Sequence, residues 1–367
     1  MLDSIMITNF KSFQQTSTLS MECGDSLASD VNTLQVQSDK KLLNSVYVLG
    51  ANLSGKTNLM QVFKFLVSSI KNSLCPGNYS HFSNKSNISC FAVYFVKNNK
   101  FFEYKLICKE SCVLEEKLWT NHSLVFSRDY NRLEISGSSF NGYPKNIRTG
   151  QLALPQLAND ELLEAKEAFD WFVNDIVFVE YSDFVMKETI NEIVTNNEEL
   201  KNKITEFLQA VDLIHPYEYF DLETCWQNIS PSIKRLLLLL IHSLTEQNKN
   251  KVLLVDDFDI GLHDELIEVL IMLFTKWNHD RQYIVTTCNS NILSKNLRQD
   301  QIYFVNKNRN VNKNRSYESE LYSLFDFDEI NLETVLEDYR LGIYDAKPII
   351  NYPYLQNIIY DKSEQEL

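Results

Sequence analysis

The first part of the chain contains two strand-like segments and one segment with a helical period. Residues 5–13 alternate between apolar and polar types and predict a strand that runs into a turn, and residues 45–49 predict a second strand. In residues 58–70 apolar side chains recur every three to four positions, which predicts an amphipathic helix. The loop at residues 50–57 therefore joins a strand to a helix.

The middle of the chain changes from a β pattern to a helical one. Residues 90–134 contain short alternating runs separated by turn residues, and they predict an antiparallel β meander. Residues 155–213 then follow helical periods and predict a helical lid. We accordingly divide the chain into three predicted parts, at residues 1–150, 151–225 and 226–367.

From residue 230 onward, apolar strands and helices alternate. The predicted elements are a helix at 233–244, a strand at 252–255, a helix at 265–277 and strands at 283–287 and 302–305. Helices between buried strands indicate a mainly parallel sheet, so the predicted fold class is α/β. The polar run at 306–316 predicts a solvated hairpin loop.

Composition and charge narrow the class of protein. A hydrophobic content of 44% in 367 residues is sufficient for a large core, and the net charge of -14 argues against broad, nonspecific binding of nucleic acid. The longest apolar runs, such as residues 236–241, are too short to span a bilayer, and the start of the chain lacks the order of a secretory signal. We therefore expect a cytoplasmic protein without membrane contact.

The seven cysteines form no regular framework, which suits a reducing compartment. Cys108 and Cys112 are the one pair that is close in sequence, and no second pair of Cys or His residues stands near them. Zinc binding by this pair is therefore disfavoured, because a structural zinc site takes four such ligands.

The loop between the first predicted helix and its strand fits the phosphate-binding pattern G-x-x-x-x-G-K-[ST]. Its residues are Gly50, Ala51, Asn52, Leu53, Ser54, Gly55, Lys56 and Thr57. In such a P-loop the backbone N–H groups and the start of the helix surround the phosphates. Lys56 is expected to reach the β- and γ-phosphates, Thr57 to bind Mg²⁺, and Asn58 to complete the nucleotide-binding set. The alternative, a chance glycine turn, is disfavoured by the flanking strand and helix.

Two acidic residues follow the apolar run at 252–255. A P-loop needs an acid at the end of a neighbouring strand, so Asp256 is expected to bind Mg²⁺ and Asp257 to polarise the attacking water. Asp257 and Lys56 are therefore the predicted catalytic residues. Two acids after an apolar strand also commonly cap a helix or form a turn. Their combination with the P-loop favours the functional interpretation.

Several blocks in the same order resemble the RecF/SMC-like branch of the ABC-type ATPases. They are residues 7–13, 50–58, 256–263, 282–287, 300–305 and 342–348. The resemblance is strongest to the small AAA-15/AAA-21-type proteins of prokaryotic antiphage defence, of the abortive-infection, Septu or retron-associated kind. It implies a P-loop fold of ABC type that binds ATP and Mg²⁺. The three predicted parts would then be an N-terminal ATPase lobe, a helical lid and a C-terminal ATPase lobe.

In that family two ATP-bound heads close face to face, and a signature segment of one chain covers the nucleotide of the other. The matching segment is residues 229–235. The resemblance implies that Ser230 caps a helix and contacts the γ-phosphate across the homodimer, and that Ser232 belongs to the same nucleotide-binding set. It also implies that His263 lies near the dimer seam. The alternative for residues 229–235 is an ordinary capped helix with a basic first turn.

Three positions depart from the family pattern. Ser232 replaces a glycine, Asp257 replaces a glutamate, and Cys288 replaces a histidine. All three positions serve hydrolysis or dimer closure in the family, whereas the P-loop is intact. The sequence therefore predicts ATP binding with slow hydrolysis.

Three functions are compatible with these residues. The leading hypothesis is a switch ATPase whose ATP-dependent homodimer regulates a separate nuclease or toxin in antiphage defence. The second is a RecF-like ATPase of DNA repair or DNA-end sensing, for which residues 307–315 would be the DNA-facing basic surface. The third is a scaffold that binds ATP without hydrolysing it.

Overall fold

The structure is a computed structural model, and most of the chain is described by it. The described residues are 1–24, 31–37, 40–75, 77, 79, 87–136, 147–181, 197–214, 229–278, 280–308, 318–328, 330–348 and 350–359. Most of the predicted basic surface at 307–315, and the parts of the predicted lid at 182–196 and 215–228, lie outside these residues.

Fifteen strands and eight α-helices are named here among the described residues. The strands are β1 (Leu2–Thr8), β2 (Ser17–Ser20), β3 (Thr33–Gln35), β4 (Lys41–Leu43), β5 (Ser45–Gly50), β6 (Ile88–Lys97), β7 (Lys100–Lys109), β8 (Cys112–Thr120), β9 (Ser123–Asp129), β10 (Arg132–Ile135), β11 (Ile176–Val179), β12 (Val252–Val255), β13 (Gln282–Thr287), β14 (Ile302–Asn308) and β15 (Glu318–Ser323). The helices are α1 (Lys56–Lys71), α2 (Ala153–Asn159), α3 (Leu163–Asp170), α4 (Glu198–Ala210), α5 (Pro231–Leu244), α6 (Asp264–Met272), α7 (Val335–Leu341) and α8 (Tyr352–Ile359).

A six-stranded sheet contains the strand that leads into the P-loop. Its spatial order is β11-β12-β13-β5-β14-β15, and all neighbouring strands are parallel except β15, which is antiparallel to β14. Every residue of β5, β12 and β13 is buried. This pattern is expected of parallel strands that are covered on both faces. The predicted α/β class with a mainly parallel sheet is confirmed.

The two faces of this sheet pack against two hydrophobic clusters. Val46 and Val48 of β5 belong to the cluster that contains α1 and the meander. Tyr47 and Leu49, which alternate with them, belong to the cluster that contains α5 and α6. The alternation of side chains along a strand thus places α1 and the helix that starts at Pro231 on opposite faces of one sheet.

A second, seven-stranded antiparallel sheet contains the predicted meander. Its order is β10-β9-β8-β7-β6-β1-β2. The hairpin between β6 and β7 turns at Asn98 and Asn99, which have φ values of 51° and 60°. Two successive residues with positive φ are typical of the turns that join antiparallel strands closely. The predicted β meander is confirmed.

The predicted lid differs from the structure between residues 153 and 179. These residues form α2, α3, a π-helical turn at Trp171–Asp175 and β11, which is the edge strand of the parallel sheet. Trp171 is fully buried and stacks on Phe95 with ring centroids 4.0 Å apart. Helical periodicity does not distinguish a lid from a core layer, and a four-residue strand is too short to alter that pattern. The boundaries at 150 and 225 remain a prediction.

None of the described helices combines the length and the apolar character that a bilayer span requires.

Candidate nucleotide-binding site

The predicted functional residues meet at one edge of the parallel sheet. Val255 of β12 lies opposite Val285 of β13, and Thr287 lies opposite Leu49 of β5. The P-loop, the two acids and Cys288 therefore leave the sheet at its carboxyl edge. Open parallel sheets bind their ligands at this edge, where the strand ends and helix starts converge.

The glycines of the P-loop are required by close contacts. A Cβ atom on Gly50 would lie 2.6 Å from the carbonyl oxygen of Val305 in the adjacent strand. Gly55 has a φ of 122°, and a Cβ atom there would overlap the Ser319 hydroxyl. Between them Leu53 adopts a φ of 63° and is 87% exposed. Glycine at these two positions therefore lets the loop pack closely against β14 and β15.

Lys56 lies at the centre of this cradle. The side chain is buried, and its Nζ donates hydrogen bonds to the carbonyl oxygens of Gly50 at 2.8 Å and Ala51 at 3.2 Å. The ammonium group is thus held inside the loop at the start of α1. A triphosphate in the loop would meet this positive charge and the positive end of the helix together.

Two residues from distant parts of the chain, Ser12 and Ser319, support the P-loop. Neither of them had been assigned a role at the site from the sequence. Asn58 Nδ2 donates to Ser12 Oγ at 2.7 Å, and the backbone N–H of Ser319 donates to the Ser12 carbonyl at 2.7 Å. The Ser319 hydroxyl also donates to the carbonyl oxygen of Ser54. From the sequence, residues 7–13 had been given a role in a predicted strand and in the resemblance, and none at the site. Residues 7–13 lie against α1 because of the strand pairings that β1 and β15 make. The spacing of residues in the sequence does not predict such pairings.

The acids stand farther from the P-loop than the sequence predicted. Their strand, β12, is separated from β5 by β13, so the expectation of a neighbouring strand was wrong. Two strand spacings put the two loops about 10 Å apart at the backbone. Thr286 of the intervening strand donates to Asp256 Oδ1 at 2.5 Å and accepts from the Asp257 backbone N–H at 2.8 Å. The intervening strand thereby fixes both acids.

Electrostatic interactions nevertheless connect the acids with Lys56. Burial raises the pKa of Asp257, and the neighbouring Asp256 raises it further, whereas Lys56 and Arg235 lower it. Burial also raises the pKa of Asp259, although the Thr287 hydroxyl donates a hydrogen bond to it at 2.7 Å. Carboxylates that are partly desolvated and close together are stabilised by a bound cation. A cation held by Asp256, as the sequence predicts, would therefore favour the ionised forms of these acids.

The predicted metal ligands are one carboxylate, Asp256, and the exposed hydroxyl-bearing residue Thr57. Within the described residues, no group of three or more His, Cys, Asp or Glu side chains is arranged to hold a metal ion. Magnesium commonly binds nucleotides through one or two protein ligands, phosphate oxygens and water, so Thr57 and Asp256 fit that pattern.

A cleft of about 310 Å³ lies beside the acids. Its walls include Asp256, Asp257, Lys64 of α1, Arg235 of α5 and Glu180, which follows β11. Lys64 forms an ion pair with Glu180. Glu180 lies at the carboxyl edge because β11, which precedes it, pairs with β12. The sequence does not predict that pairing, and therefore Glu180 was not among the predicted site residues. The P-loop itself does not line this cleft, so the cleft adjoins the nucleotide site.

The signature-like segment begins α5, as predicted. The Ser230 hydroxyl accepts a hydrogen bond from the Ile233 backbone N–H at 3.4 Å, and Ser230 is exposed. Ser232 contacts Gly261, whose φ is 73°, because a Cβ atom on that glycine would overlap the Ser232 hydroxyl. Ser232 is thus accommodated against a loop of its own chain. Contact of Ser230 or Ser232 with a second copy remains a prediction.

Arg235 lies near Tyr181 and Asp257 of its own chain. Its guanidinium carbon lies 5.0 Å from the centre of the Tyr181 ring, and its charge lowers the pKa of Asp257 in the same chain. The structure places it beside the acids of its own chain because α5 packs against β11 and β12.

Cys288 and His263 are both exposed at this edge. Cys288 follows β13 directly, and the negative charge of its thiolate would raise the pKa of the nearby Tyr339 further than burial already does. His263 precedes α6 and makes no side-chain capping hydrogen bond. Both positions are compatible with a seam between two copies.

Comparison with known proteins gives similarity in fold alone. No protein family matches the chain, and no curated protein matches it. In fold, the chain is similar to SMC heads. The SMC head domain from Thermotoga maritima is 16% identical, with 88% of this chain and 98% of that chain covered and a TM-score of 0.45. An SMC head bound to the C-winged helix domain of ScpA is 13% identical, with 88% and 97% covered and a TM-score of 0.44.

Proposed function

We propose that this chain is an ATP-binding switch ATPase of ABC type that hydrolyses ATP slowly. The observation that carries the proposal is the position of Lys56, which is buried inside an intact P-loop at the same sheet edge as Asp256 and Asp257. Lys56 and the loop N–H groups would bind the phosphates. Thr57 and Asp256 would hold Mg²⁺, which neutralises phosphate charge when it is bound.

Slow hydrolysis is supported by the position of Asp257. An aspartate reaches about 1.5 Å less far than the glutamate that the resemblance leads us to expect. The backbone of Asp257 is fixed by Thr286 and has a φ of 49°, so it has little freedom to compensate. Phosphoryl transfer depends mainly on positioning, and a misplaced water-orienting group costs on the order of 10²-fold in rate.

The proposal includes ATP-dependent homodimerisation. Ser230 at the start of α5, His263 and Cys288 are exposed at the edge that carries the P-loop. A second copy that closes over this edge would bring its own α5 N-terminus toward the γ-phosphate, where backbone N–H groups stabilise negative charge. By resemblance, we propose that this dimer regulates a separate nuclease or toxin in cytoplasmic antiphage defence.

The first test compares two lysines at opposite ends of α1. We expect Lys56→Ala to weaken the binding of a fluorescent ATP analogue with Mg²⁺ by roughly 100-fold, since about 3 kcal/mol of charged hydrogen bonding is lost. Lys71→Ala, at the exposed last turn of the same helix, should bind as the unmodified chain does. Thermal unfolding of both variants controls for folding. Equal binding by Lys56→Ala would contradict the proposed site.

Single-turnover hydrolysis by the unmodified chain tests the second half of the proposal. The chain should convert bound ATP on a time scale of minutes or longer, as expected when the water-orienting carboxylate is misplaced. Rapid turnover would remove slow hydrolysis from the proposal. Stable ATP binding without any turnover would favour the scaffold alternative.

A further inference from the structure

The hydroxyl of Thr286 lies at the carboxyl edge of the parallel sheet, between the P-loop strand and the strand that carries the acids. Thr286 belongs to β13 and pairs with Val48 of β5 on one side. The residue has no solvent-exposed surface. A valine has nearly the same shape and is a more usual residue in a parallel strand that is covered on both faces. The hydroxyl group is therefore not needed to fill this space.

The hydrogen bonds of this hydroxyl have a fixed direction. Its Oγ1 lies 2.5 Å from Asp256 Oδ1 and 2.8 Å from the backbone nitrogen of Asp257. A threonine hydroxyl has one proton to donate, and a backbone N–H can only donate. The proton of Thr286 therefore points to Asp256, and an oxygen lone pair accepts from Asp257. One hydroxyl group thus holds the side chain of the first acid and the backbone of the second.

A third hydrogen bond completes the attachment of this turn to β13. The backbone N–H of Phe258 donates to the carbonyl oxygen of Thr286 at 3.1 Å. Asp257, between the two anchored residues, has a φ of 49°. A residue other than glycine keeps such a conformation only where the surrounding structure holds it. The bond from Phe258 uses the backbone of Thr286, so it remains when the Thr286 side chain is changed.

The hydrogen bond to Asp256 contributes more to orientation than to stability. Asp256 is exposed, and a hydrogen bond to an exposed group replaces one to water, so it adds little to folding. The neighbouring Thr287 differs, because its hydroxyl donates at 2.7 Å to Asp259, which is itself buried. The bond from Thr286 goes to Oδ1 of Asp256. It fixes the rotation of that carboxylate and leaves Oδ2 as the oxygen that can bind a cation.

Metal sites depend on anchoring of this kind. A carboxylate ligand is usually hydrogen-bonded in its turn, and loss of the anchoring group commonly lowers metal affinity by roughly 10- to 100-fold. We infer that Thr286 is a positioning residue for the Mg²⁺ of the nucleotide site and acts through Asp256. The inference rests on the proposed function, in which Asp256 and Thr57 hold that ion. Thr286 orients one of these ligands and does not itself bind the ion.

The test measures what Mg²⁺ adds to nucleotide binding by the full chain. The Kd of the fluorescent ATP analogue is determined with excess Mg²⁺ and again with EDTA, and the ratio of the two values gives the contribution of the metal. We expect Thr286→Val to reduce this ratio roughly tenfold, because Asp256 is no longer oriented. The Kd in EDTA should stay unchanged, since the hydrogen bonds that place Lys56 in the P-loop do not involve Thr286.

Two further variants separate the hydroxyl group from the shape of the residue. Thr286→Ser keeps the hydroxyl, so it should show the ratio of the unmodified chain. Thr275→Val is the matched control, because Thr275 is also buried and its hydroxyl donates at 2.7 Å to the carbonyl oxygen of Ile271. That variant should leave both Kd values unchanged. Thermal unfolding checks each variant. If Thr286→Val does not fold, Thr286→Cys replaces it and should give a smaller loss, because a thiol is a weak donor.

A double substitution tests whether Thr286 acts through Asp256. Asp256→Ala removes the carboxylate and leaves Thr57 and the phosphates to bind Mg²⁺. Adding Thr286→Val to this variant should lower the ratio no further, as expected when one residue works through the other. A further loss as large as in the unmodified chain would show that Thr286 acts independently of Asp256, and it would overturn the inference.

The outcomes also distinguish this inference from the proposed function. If Mg²⁺ strengthens binding by the same factor in the unmodified chain and in Thr286→Val, the inference is overturned and the proposed function stands. Equal losses in Thr286→Val and Thr286→Ser overturn it as well, because the hydroxyl is then not the cause. An equal loss in EDTA and in Mg²⁺ does the same, because the effect is then one of folding. If the unmodified chain binds the analogue under neither condition, the proposed function fails and the inference fails with it.

Discussion

At the residue scale, the side chain of Asp257 is the feature that limits catalysis in our proposal. Thr286 holds its backbone, and burial, followed by Asp256, raises its pKa, whereas Lys56 and Arg235 act against that shift. A raised pKa means that the ionised form needed to orient water is lost at a higher pH than for an ordinary aspartate. The short reach of the side chain is therefore the feature that works against hydrolysis.

We predict that Asp257→Glu accelerates single-turnover hydrolysis by roughly 10- to 100-fold, because the added methylene moves the carboxylate about 1.5 Å toward the nucleotide. The control is Asp264→Glu, an exposed aspartate in the first turn of α6, which should leave the rate unchanged. Binding of the ATP analogue is measured for both variants. An unchanged rate in Asp257→Glu with intact binding would show that the limitation lies elsewhere, with Cys288 as the next position to change.

At the element scale, a buried ion pair joins α2 to the meander. Glu116 of β8 accepts hydrogen bonds from the backbone N–H groups of Ala153 at 2.6 Å and Leu154 at 2.9 Å, at the start of α2. Its Oε2 lies 3.5 Å from Arg128 Nη1, and both side chains are fully buried. Burial raises the pKa of Glu116 and lowers the pKa of Arg128, and in both groups it outweighs their mutual attraction. The pair therefore positions α2 at a cost in desolvation.

We predict that Glu116→Gln lowers the free energy of unfolding by about 3 kcal/mol, because a buried guanidinium loses its counter-charge. Glu134→Gln is the matched control on the same sheet. Glu134 pairs with Arg132 at 2.8 Å, but both side chains are exposed, so the change should cost less than about 1 kcal/mol. Urea unfolding monitored by circular dichroism measures both. Similar losses in the two variants would contradict the role of the buried pair.

Element prediction from the sequence succeeded where the hydrophobic period was strong. The helix after the P-loop and the strands around it match the predicted segments, because apolar spacing reports burial on one face or both. It failed for β11, whose four residues lie between helical segments. A strand that short is defined by its hydrogen bonds to β12, which are contacts between residues far apart in the chain.

At the scale of the whole molecule, the net charge of -14 acts on every association. Two copies repel each other, and salt screens that repulsion over distances of about 8–10 Å. DNA is also negatively charged, and binding to it depends on release of counterions, so added salt weakens such binding. Self-association and DNA binding therefore respond to salt with opposite signs.

We predict that the ATP-dependent dimer becomes several-fold tighter as monovalent salt rises from about 50 to about 300 mM, when repulsion is screened. The measurement is sedimentation velocity at saturating ATP and constant Mg²⁺, with binding of a DNA duplex measured in parallel. A dimer that weakens with salt would contradict the prediction. Tight DNA binding that falls steeply over the same range would favour the repair ATPase alternative.

The sequence by itself determined the local elements of the site. The P-loop is contiguous, so the spacing of Gly50, Gly55 and Lys56 was enough to predict a phosphate cradle between a strand and a helix. The alternation of later strands and helices was likewise enough to predict a mainly parallel sheet. These features depend on neighbours in the chain, which sequence patterns record directly.

Only the tertiary structure decided which distant residues meet. It placed β13 between the P-loop strand and the acids, set Ser12 and Ser319 against the loop, and turned Ser232 toward Gly261. It also left every residue of α8 exposed. Strand order and packing bring together residues that are up to hundreds of positions apart in the chain. The hydrophobic period of a strand is the same whichever other strands it lies beside, so the period does not predict the strand order. That is the physical reason why the site's chemistry was predictable and its assembly was not.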